Sequence, residues 1–485
     1  MREAVMTHTA PATDAGGHLR RLDRIDVWSL PRLFVVVIGI GTAFTYYDIF
    51  DINVSFIQTC LDIVAGCAPE TAVHWLGTPV LANLVGYAVG AVVLSRLADR
   101  FGRRDMLMFT MLLTGLGSLY NALAGDYTHF VLARAITGLG VGADIAIVNV
   151  YISEVAPRAA RARFTTLVLV LSAIGAAGAT WLGLVLTTPA APWPQGLPFA
   201  AASADNPGAW RWMYAVGALL ALVALLLRLK LPESPRWLLA RGKLARADAV
   251  IVDMERRARS RGWTPPREPT PAPAPSVPEP AGRGSLLDLF TSRRYLGRCL
   301  LITAIWVLAY TTVYGFGAGL TSILSAVRYT PSEAGMIVAI GTFGYLAAEV
   351  VGYFVVEALE RKHWLPVGTA IVIVGAVLVG ASGGSMPVAF LGSVLIFFGY
   401  NLWFAPTYAL TAESFPTRMR AGAFGITDGI GHVGGGIGVF LIAQNVERLH
   451  APAALAIICG FLVAAAALAQ LTVRTRNRRL EDVSP

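Results

Sequence analysis

Apolar stretches long enough to cross a lipid bilayer recur along the whole chain, with short polar breaks between them. A helix needs roughly 20 apolar residues to span the hydrocarbon core. The stretches lie at 32–56, 76–97, 105–124, 130–152, 163–187, 209–230, 298–325, 333–356, 366–384, 387–410, 421–446 and 452–473. This pattern predicts an all-α polytopic membrane protein with twelve transmembrane helices, embedded in the bilayer.

The composition agrees with this prediction, since 55% of the 485 residues are hydrophobic and only 14% are charged. Soluble domains carry roughly 25% charged residues. No spacing brings a nucleophile, a base and an orienting acid together, and none resembles a metal site. We therefore expect neither an enzyme nor a metal or other cofactor.

The positive charge indicates topology and not nucleic-acid binding, because it flanks the predicted helices. Arginine-rich loops mark the cytoplasmic side of membrane proteins. The clusters lie in every second loop and beyond both ends: Arg20, Arg21, Arg24, Arg100, Arg103, Arg104, Arg158, Arg161, Arg163, Arg361, Lys362, Arg418, Arg420, Arg474, Arg476, Arg478 and Arg479. Both termini are thus predicted to be cytoplasmic, without a removable signal peptide. Only Lys230, Lys243 and Lys362 are lysines, which favours a bacterial inner-membrane protein.

Two halves repeat the same loop signature. Glu154-x-x-Pro157-x-x-x-Arg161 follows predicted helix four, and Glu413-x-x-Pro416-x-x-x-Arg420 follows predicted helix ten with identical spacing. We expect an N-terminal six-helix bundle with a cytoplasmic tail at 1–230 and a C-terminal six-helix bundle with a basic cytoplasmic tail at 298–485. Between them, 231–297 reads as a cytoplasmic, proline-rich linker. Internal repeats of this kind are typical of transporters.

Three motifs carry a resemblance to a known family. Ser95-Arg-Leu-Ala-Asp99-Arg-Phe-Gly-Arg-Arg104 follows helix two, Arg134-Ala-Ile-Thr-Gly-Leu-Gly-Val-Gly142 lies in helix four, and Pro232-Glu-Ser-Pro-Arg-Trp-Leu238 follows helix six. The chain resembles the major facilitator superfamily, in its branch of sugar porters, organic-ion carriers and metabolite:proton symporters. The resemblance implies two pseudo-symmetric six-helix bundles that rock around a central cavity.

The loop motifs are interpreted as gating and structural elements at the cytoplasmic ends of the helices. Their charges are expected to pair or separate as the carrier changes the side to which it is open, although arginines there also set topology. These residues are Asp99, Arg100, Gly102, Arg103, Arg104, Glu154, Arg161, Glu233, Arg236, Glu357, Arg361, Glu413 and Arg420.

Ionisable side chains at membrane depth are candidates for function, because they are costly to insert. Asp48 in helix one and Arg134 in helix four are predicted at similar depth. The pair resembles the acid in helix one and the arginine in helix four of proton-driven sugar porters. The pair is either a proton-coupling switch or a static ion pair. Asp144 either couples protons or is a permanently protonated, hydrogen-bonded acid. We expect Asp51 at the membrane interface and Glu349 paired with the second basic loop.

An aromatic stripe on helix seven indicates a substrate cavity or ordinary helix packing. Trp306, Tyr310 and Tyr314 recur every four residues there. On helix eleven, Asp428 and His432 share a face, so His432 is either a pH-responsive contact or a neutral, satisfied histidine. The predicted cavity set is completed by Tyr47, Asn401 and Trp403.

The expected function is proton-coupled symport of a small polar metabolite, with an organic anion favoured because Arg134 and His432 are present. The Gln-Gln and Pro-Glu-Thr-Lys-Gly marks of sugar porters are absent, so sugar or polyol comes second and phosphate third. A membrane sensor of solutes is the alternative from another class. Partners are the solute and protons, and a monomer is the default. Cys60 and Cys67, in an extracytoplasmic loop, are candidates for a disulfide.

Overall fold

The computed structural model describes residues 12–155, 161–202, 206–264, 289–326, 329–476 and 483. Ten helices in this part of the chain are long and apolar enough to cross a membrane. A helix at Arg32–Ile63 and the apolar stretch Ala453–Ala469 complete the set. The predicted all-α fold with twelve transmembrane helices is confirmed.

The N-terminal half begins with a helix that the sequence did not predict. Helix α1 precedes the first transmembrane helix, and transmembrane helix two is interrupted by a π-helical turn at Gly90–Leu94. The helices are α1 Ala12–Arg24, α2 Arg32–Ile63, α3 Ala72–Val89, α4 Ser95–Phe101, α5 Arg103–Leu123, α6 Tyr127–Val155, α7 Arg161–Thr187 and α8 Trp210–Arg228.

The predicted linker at 231–297 is partly helical. Helices α9 Pro235–Ala240 and α10 Leu244–Arg259 form within it, and apolar side chains of α10 share a buried cluster with α1. The proline-rich stretch 265–280 lies outside the described residues. The extended interpretation was therefore wrong for the helices within 235–259, where the spacing of Ala247, Ile251 and Met254 by four and then three residues supplies a buried helix face.

Helices α1 and α10 are joined by ion pairs at the end of the bundle that carries the arginine-rich loops, called the basic end below. Arg21 donates to Asp248 at 2.7 Å and to Glu255 at 2.9 Å. The hydrogen bond from Arg21 holds the pKa of Asp248 below its ordinary value. These contacts tie the N-terminal segment to the helices that follow transmembrane helix six.

In the C-terminal half, two predicted helices are broken. Transmembrane helix seven breaks after Gly317, and helix ten breaks at Trp403, because Pro406 lacks an N–H and its ring clashes with the carbonyl four residues earlier. The last two spans lie within the helical stretch Thr417–Ala469, which reverses direction, because Arg361 contacts Glu413 just before it and Lys362 contacts Gln470 just after it. The helices are α11 Arg293–Gly317, α12 Leu320–Ala326, α13 Pro331–Val355, α14 Trp364–Gly380, α15 Met386–Leu402, α16 Phe404–Glu413 and α17 Thr417–Ala469.

The two halves meet along two helix pairs, α3 with α17 and α7 with α13. Away from the basic end, hydrogen bonds also join them. Asn53 donates to the Gly317 carbonyl at 2.5 Å and accepts from the Thr321 hydroxyl at 2.6 Å. Ser332 donates to the Pro189 carbonyl at 2.6 Å. These contacts hold the halves together at the end opposite the basic loops.

Candidate functional site

A cavity lies between the two halves, and about 50 Å³ of it is open to the centre of a water-sized sphere. Its wall is dominated by aromatic rings, which come from α2 and α3 on one side and from α11, α13, α15 and α16 on the other. The rings belong to Tyr46, Phe50, Tyr87, Tyr310, Tyr314, Tyr345, Tyr400, Phe404 and Tyr408. The polar or charged side chains besides the tyrosines are Glu349, Asn401 and His432. Such a wall suits a small solute with a flat ring.

His432 is held in one corner of the cavity by rings and by its own helix. Its ring stacks on Tyr87 with centroids 3.9 Å apart and lies 3.9 Å from the Tyr310 ring. Its Nδ1 lies 2.8 Å from the Asp428 carbonyl oxygen. Asp428 accepts from Tyr310 at 2.9 Å and from Tyr87 at 3.2 Å, and so sits just behind the wall. The predicted residues Asp428, His432 and Tyr310 are thus brought together.

Three other residues predicted for the cavity do not line it. Tyr47 donates to the Met213 carbonyl at 2.8 Å. Trp306 is fully buried and donates to Thr411 at 3.0 Å, with its ring 5.9 Å from that of Trp403. These side chains pack behind the wall, whereas Tyr310, Tyr314 and Asn401 line it. Residues four apart on one helix drift around its axis, so the stripe on α11 only partly faces the cavity.

Glu349 lies in the cavity wall and not in the pairing that the sequence predicted. It is 7% exposed on α13. In the described part of the chain, no cation and no hydrogen-bond donor contacts its carboxylate. The sequence placed Glu349 near the second basic loop by depth alone, which does not fix the direction in which the side chain points.

Two acids share one arginine in the N-terminal half. Arg134 Nη1 donates to Asp51 Oδ1 at 3.0 Å and lies 3.8 Å from Asp48 Oδ2. The same nitrogen donates to the Asp48 carbonyl oxygen at 3.0 Å, and Ser118 donates to Asp48 Oδ1 at 2.7 Å. All three charged side chains are buried. The interfacial position expected for Asp51 was wrong, because Asp51 lies one turn beyond Asp48 on the same face of α2.

Part of this cluster is unsatisfied. Asp48 Oδ2, Asp51 Oδ2 and Arg134 Nε are buried without a hydrogen-bond partner among the described residues. With both carboxylates ionised, the three side chains carry one net negative charge. Neither acid lines the cavity, so a solute would act on them through neighbouring residues.

Asp144 belongs to a different ion pair, with Arg228. Both guanidinium Nη atoms donate to its carboxylate, Nη2 at 2.9 Å, and Thr110 and Thr45 donate to it at 2.9 and 3.3 Å. Gly41 makes room for the pair, since a Cβ there would lie 2.2 Å from Arg228 Nη2. Asp144 therefore does not face the cavity.

Sequence reasoning missed Arg228. It ends helix six directly before a lysine-containing loop, so it resembles an ordinary topology-setting arginine. A carboxylate buried in a membrane helix has to find a cation or donors, so Asp144 by itself indicated that a partner exists, but not which residue it is.

The loop motifs form matching ion pairs in the two halves. Arg103 contacts Asp99 at 2.8 Å and Glu154 at 2.9 Å. At the corresponding positions of the C-terminal half, Arg361 contacts Glu357 at 3.0 Å and Glu413 at 3.8 Å. The side chains of Arg161 and Arg420 lie outside the described part of the chain.

The remaining arginines of the first motif make separate contacts. Arg100 lies over the Phe101 ring, and Arg104 donates to the Leu229 carbonyl at 2.7 Å. Arg236 donates to the Glu154 carbonyl at 3.3 Å and to Asp23 on α1. The motif after helix six is thereby tied to helices two, three and four.

Glu233 caps the start of α5, and Gly102 leaves the space that the Glu233 carboxylate occupies. Glu233 Oε1 accepts from the backbone N–H groups of Arg103 and Arg104 at 3.0 and 3.3 Å, and so caps the start of α5. It also accepts from the N–H of Ser234 at 2.8 Å. Burial raises the pKa of Glu233, although these N–H groups favour its charged form. Gly102 has φ +116°, and a Cβ there would lie 2.2 Å from Glu233 Oε2. Only glycine satisfies both requirements.

Cys60 and Cys67 form a disulfide that closes the turn after α2, with their Cα atoms 6.0 Å apart. Cys299 and Cys459 are free and buried in transmembrane helices. The disulfide lies at the end of the bundle opposite the basic loops.

Comparison with known proteins identifies the family to which this chain belongs. The family described as "Sugar (and other) transporter" matches residues 34–485. The putative metabolite transport protein YyaJ of Bacillus subtilis is 25% identical over 455 residues, which cover 91% of each chain. The niacin transporter NiaP of Acinetobacter baylyi is 25% identical over 418 residues, which cover 86% of this chain and 87% of NiaP.

A solved structure shares the fold. The proton:xylose symporter XylE of E. coli, bound to 6-bromo-6-deoxy-D-glucose, superposes with a TM-score of 0.68 at 20% identity. The match covers 96% of this chain and 99% of that one. Together with the family match over nearly the whole chain, these findings show that the chain belongs to the sugar (and other) transporter family of the major facilitator superfamily and is a membrane transporter, not an enzyme.

Proposed function

We propose that the protein is a proton-coupled symporter that carries a small polar metabolite containing a ring into the cell by alternating access. The observation that supports this most is the combination of an aromatic cavity between the halves with a buried cluster of two acids and one arginine, Asp48, Asp51 and Arg134. Following the positive-inside rule, we assign the basic end to the cytoplasm and the bundle to the inner membrane.

The net charge of the cluster couples proton binding to the movement of the carrier. Both carboxylates ionised leave one net negative charge in a region of low dielectric constant, where an uncompensated charge is costly. One bound proton makes the cluster neutral. Asp48 is the proposed acceptor, because Asp51 makes the closer contact with Arg134, at 3.0 against 3.8 Å. The neutral, loaded carrier then reorients.

The two ion pairs of the loop motifs, Arg103–Glu154 and Arg361–Glu413, are proposed to change with that movement. They tie neighbouring helices at the basic end within each half. The opposite end is closed in this structure by Asn53 with Gly317 and Thr321. We therefore propose that solute leaves toward the basic end.

An organic acid, which the sequence favours, has one matching contact in this cavity. Arg134 is engaged by two acids and does not line the wall, so His432 is the only described lining residue that can become cationic. The similarity to a niacin transporter supports a ring-containing metabolite. If an organic acid is carried, His432→Arg should flatten the pH profile of uptake between about pH 5 and 8, since arginine does not titrate there.

Reconstitution tests the proposal. The purified protein is placed in liposomes with a pH-sensitive dye inside, and pools of ring-containing acids, amines, sugars and phosphate are added outside. Proton entry that depends on one pool, and that is lost in Asp48→Asn but kept in the exposed control Asp126→Asn, supports symport. Solute exchange without proton entry from any pool would contradict it and indicate a uniporter or exchanger, and binding without any movement would indicate a sensor.

A further inference from the structure

Glu349 differs from the other buried acids of the transmembrane helices. Asp48, Asp51, Asp144 and Asp428 each accept a hydrogen bond from a buried side chain. For Glu349, which is 7% exposed in the cavity wall, the described residues show no such bond and no ion pair. A buried carboxylate without a partner normally requires one from elsewhere.

The surroundings of Glu349 are aromatic. Tyr46 and Tyr345 line the cavity together with Glu349, and Tyr345 lies one turn before Glu349 on the same face of α13. Their ring centroids are 6.5 Å apart, and the ring of Tyr400 lies 6.4 Å from that of Tyr345. The Tyr400 hydroxyl is buried without a hydrogen-bond partner among the described residues. The face of an aromatic ring carries partial negative charge and attracts cations.

The protein does not supply the missing positive charge. No arginine or lysine is among the residues that line the cavity. The two arginines buried deepest in the described part of the chain, Arg134 and Arg228, are each engaged by other acids. An anionic group placed beside Glu349 would be repelled by it, whereas a cationic group would meet both the carboxylate and the ring faces.

We propose that Glu349 and the rings of Tyr46, Tyr345 and Tyr400 form a subsite for a positively charged nitrogen group of the solute, such as a protonated amine or an alkylated ring nitrogen. The subsite rests on the proposed function, because it lies in the cavity that would carry the solute. It narrows the solute class to ring compounds with a cationic nitrogen. An acidic group on the same solute would have to lie away from Glu349, toward His432.

A pair of probes of matched shape tests the charge preference. N-methylpyridinium is always cationic, and 3-methylpyridine is neutral at pH 8. Binding of each to the full chain in lipid nanodiscs is measured by equilibrium dialysis, with empty nanodiscs as background. We expect the cation to bind at least about ten-fold more tightly than the neutral ring.

Glu349→Gln should remove this preference and leave binding of 3-methylpyridine unchanged, which also shows that the cavity remains intact. Glu70→Gln, an exposed acid in the loop before α3, should keep the preference. If Glu349→Gln does not fold, Tyr345→Leu serves instead and should lower the preference several-fold. Equal affinity for both probes in the unaltered protein, or an undiminished preference in Glu349→Gln, would overturn the subsite.

The outcome is separable from that of the proposed function. A cation preference that depends on Glu349, without proton entry in the liposome assay, supports the subsite and contradicts symport. Proton entry with a ring-containing solute, without any cation preference, supports symport and contradicts the subsite.

Discussion

The N-terminal half of this transporter buries arginines paired with acids, whereas most rings of the cavity wall come from the C-terminal half. Among the described residues, the buried arginines are Arg103, Arg134 and Arg228, all in the first 230 positions. The described C-terminal half has no buried arginine or lysine, and its core beside the cavity is a stack of rings that includes Trp306, Trp403 and Phe404. Two halves with the same helical scaffold thus provide different chemistry.

The repeated loops show that the difference is confined to the membrane interior. Arg103 with Glu154 and Arg361 with Glu413 occupy matching positions at the basic end. Inside the bundle, the buried arginine–acid pairs of the N-terminal half have no counterpart among the described residues of the C-terminal half. The comparison teaches that the repeat preserves the contacts that tie the helices together, while the described buried ion pairs with arginine lie in the N-terminal half and most rings of the cavity wall lie in the C-terminal half, called the aromatic half below. We therefore expect substitutions in the two halves to fail in different ways.

The largest expected effect is on stability, from Arg228→Leu. This change leaves Asp144 as an uncompensated buried charge, and breaking a buried pair in this way costs about 3–5 kcal/mol. We expect a large loss of folded protein, measured by denaturant unfolding in detergent.

The double variant Arg228→Leu with Asp144→Leu is the matched control. Thr45 and Thr110 also donate to backbone carbonyls, so they keep acceptors when the carboxylate is removed. Most of the lost stability should return, because replacing a buried pair by apolar side chains is often neutral. A double variant as unstable as the single one would show that the pair does more than neutralise itself.

Asp48→Asn should instead affect coupling. The remaining Asp51 balances Arg134, so the cluster is neutral without a bound proton and the protein should fold. Accumulation of solute against a gradient should be abolished, while exchange of solute between two equal pools continues, as measured with labelled solute in liposomes. Equal loss of accumulation and exchange would return Asp48 to a structural role and weaken the contrast with Asp144.

Tyr310→Phe probes the aromatic half with a smaller change. The Tyr310 hydroxyl donates to Asp428 at 2.9 Å and lies 2.8 Å from the Tyr408 hydroxyl. A hydrogen bond to a charged group contributes about 1.5–3 kcal/mol. We expect the free energy of unfolding to fall by this amount or less, because Tyr87 still donates to Asp428. Solute affinity should change while proton coupling persists, and a variant that transports solute without protons would contradict the division between halves.

The smallest effect is expected outside the membrane, from Asp248→Ala at the contact between α1 and α10. Arg21 lowers the pKa of Asp248 in the folded protein, so this contribution to stability is present above the ordinary pKa of an aspartate and is lost as the pH falls through the lowered value. Since the Asp248 side chain is 44% exposed, we expect less than about 1 kcal/mol.

The measurement is the thermal unfolding midpoint between about pH 3 and 7. The difference between Asp248→Ala and the unaltered protein should shrink toward the acidic end, whereas the exposed control Glu70→Ala should match the unaltered protein throughout. A difference that is constant with pH would mean that packing, and not charge, joins α1 to α10.

Much of the fold could be predicted from the sequence, because span length and apolar content report directly on the bilayer. The neighbouring depths of Asp48 and Arg134 also followed, since depth depends only on the count of residues from a helix end. The inclusion of Asp51 could have been predicted from its three-residue spacing to Asp48. The partner of Asp144 could not, because Arg228 stands at the end of helix six, where an arginine that sets topology is expected, and meets Asp144 only through packing of α6 and α8.

The sequence by itself therefore determined that the protein lies in a lipid bilayer, and it determined the number of spans, the internal repeat and the family. All of these depend on local composition or on short motifs. Only the tertiary structure decided which acid meets which cation, and which rings of the α11 stripe face the cavity. The physical reason is rotation about the helix axis. The rotation of each helix is set by its contacts with neighbouring helices. It directs Trp306 toward the packed helices behind the wall and leaves Glu349 in the cavity wall.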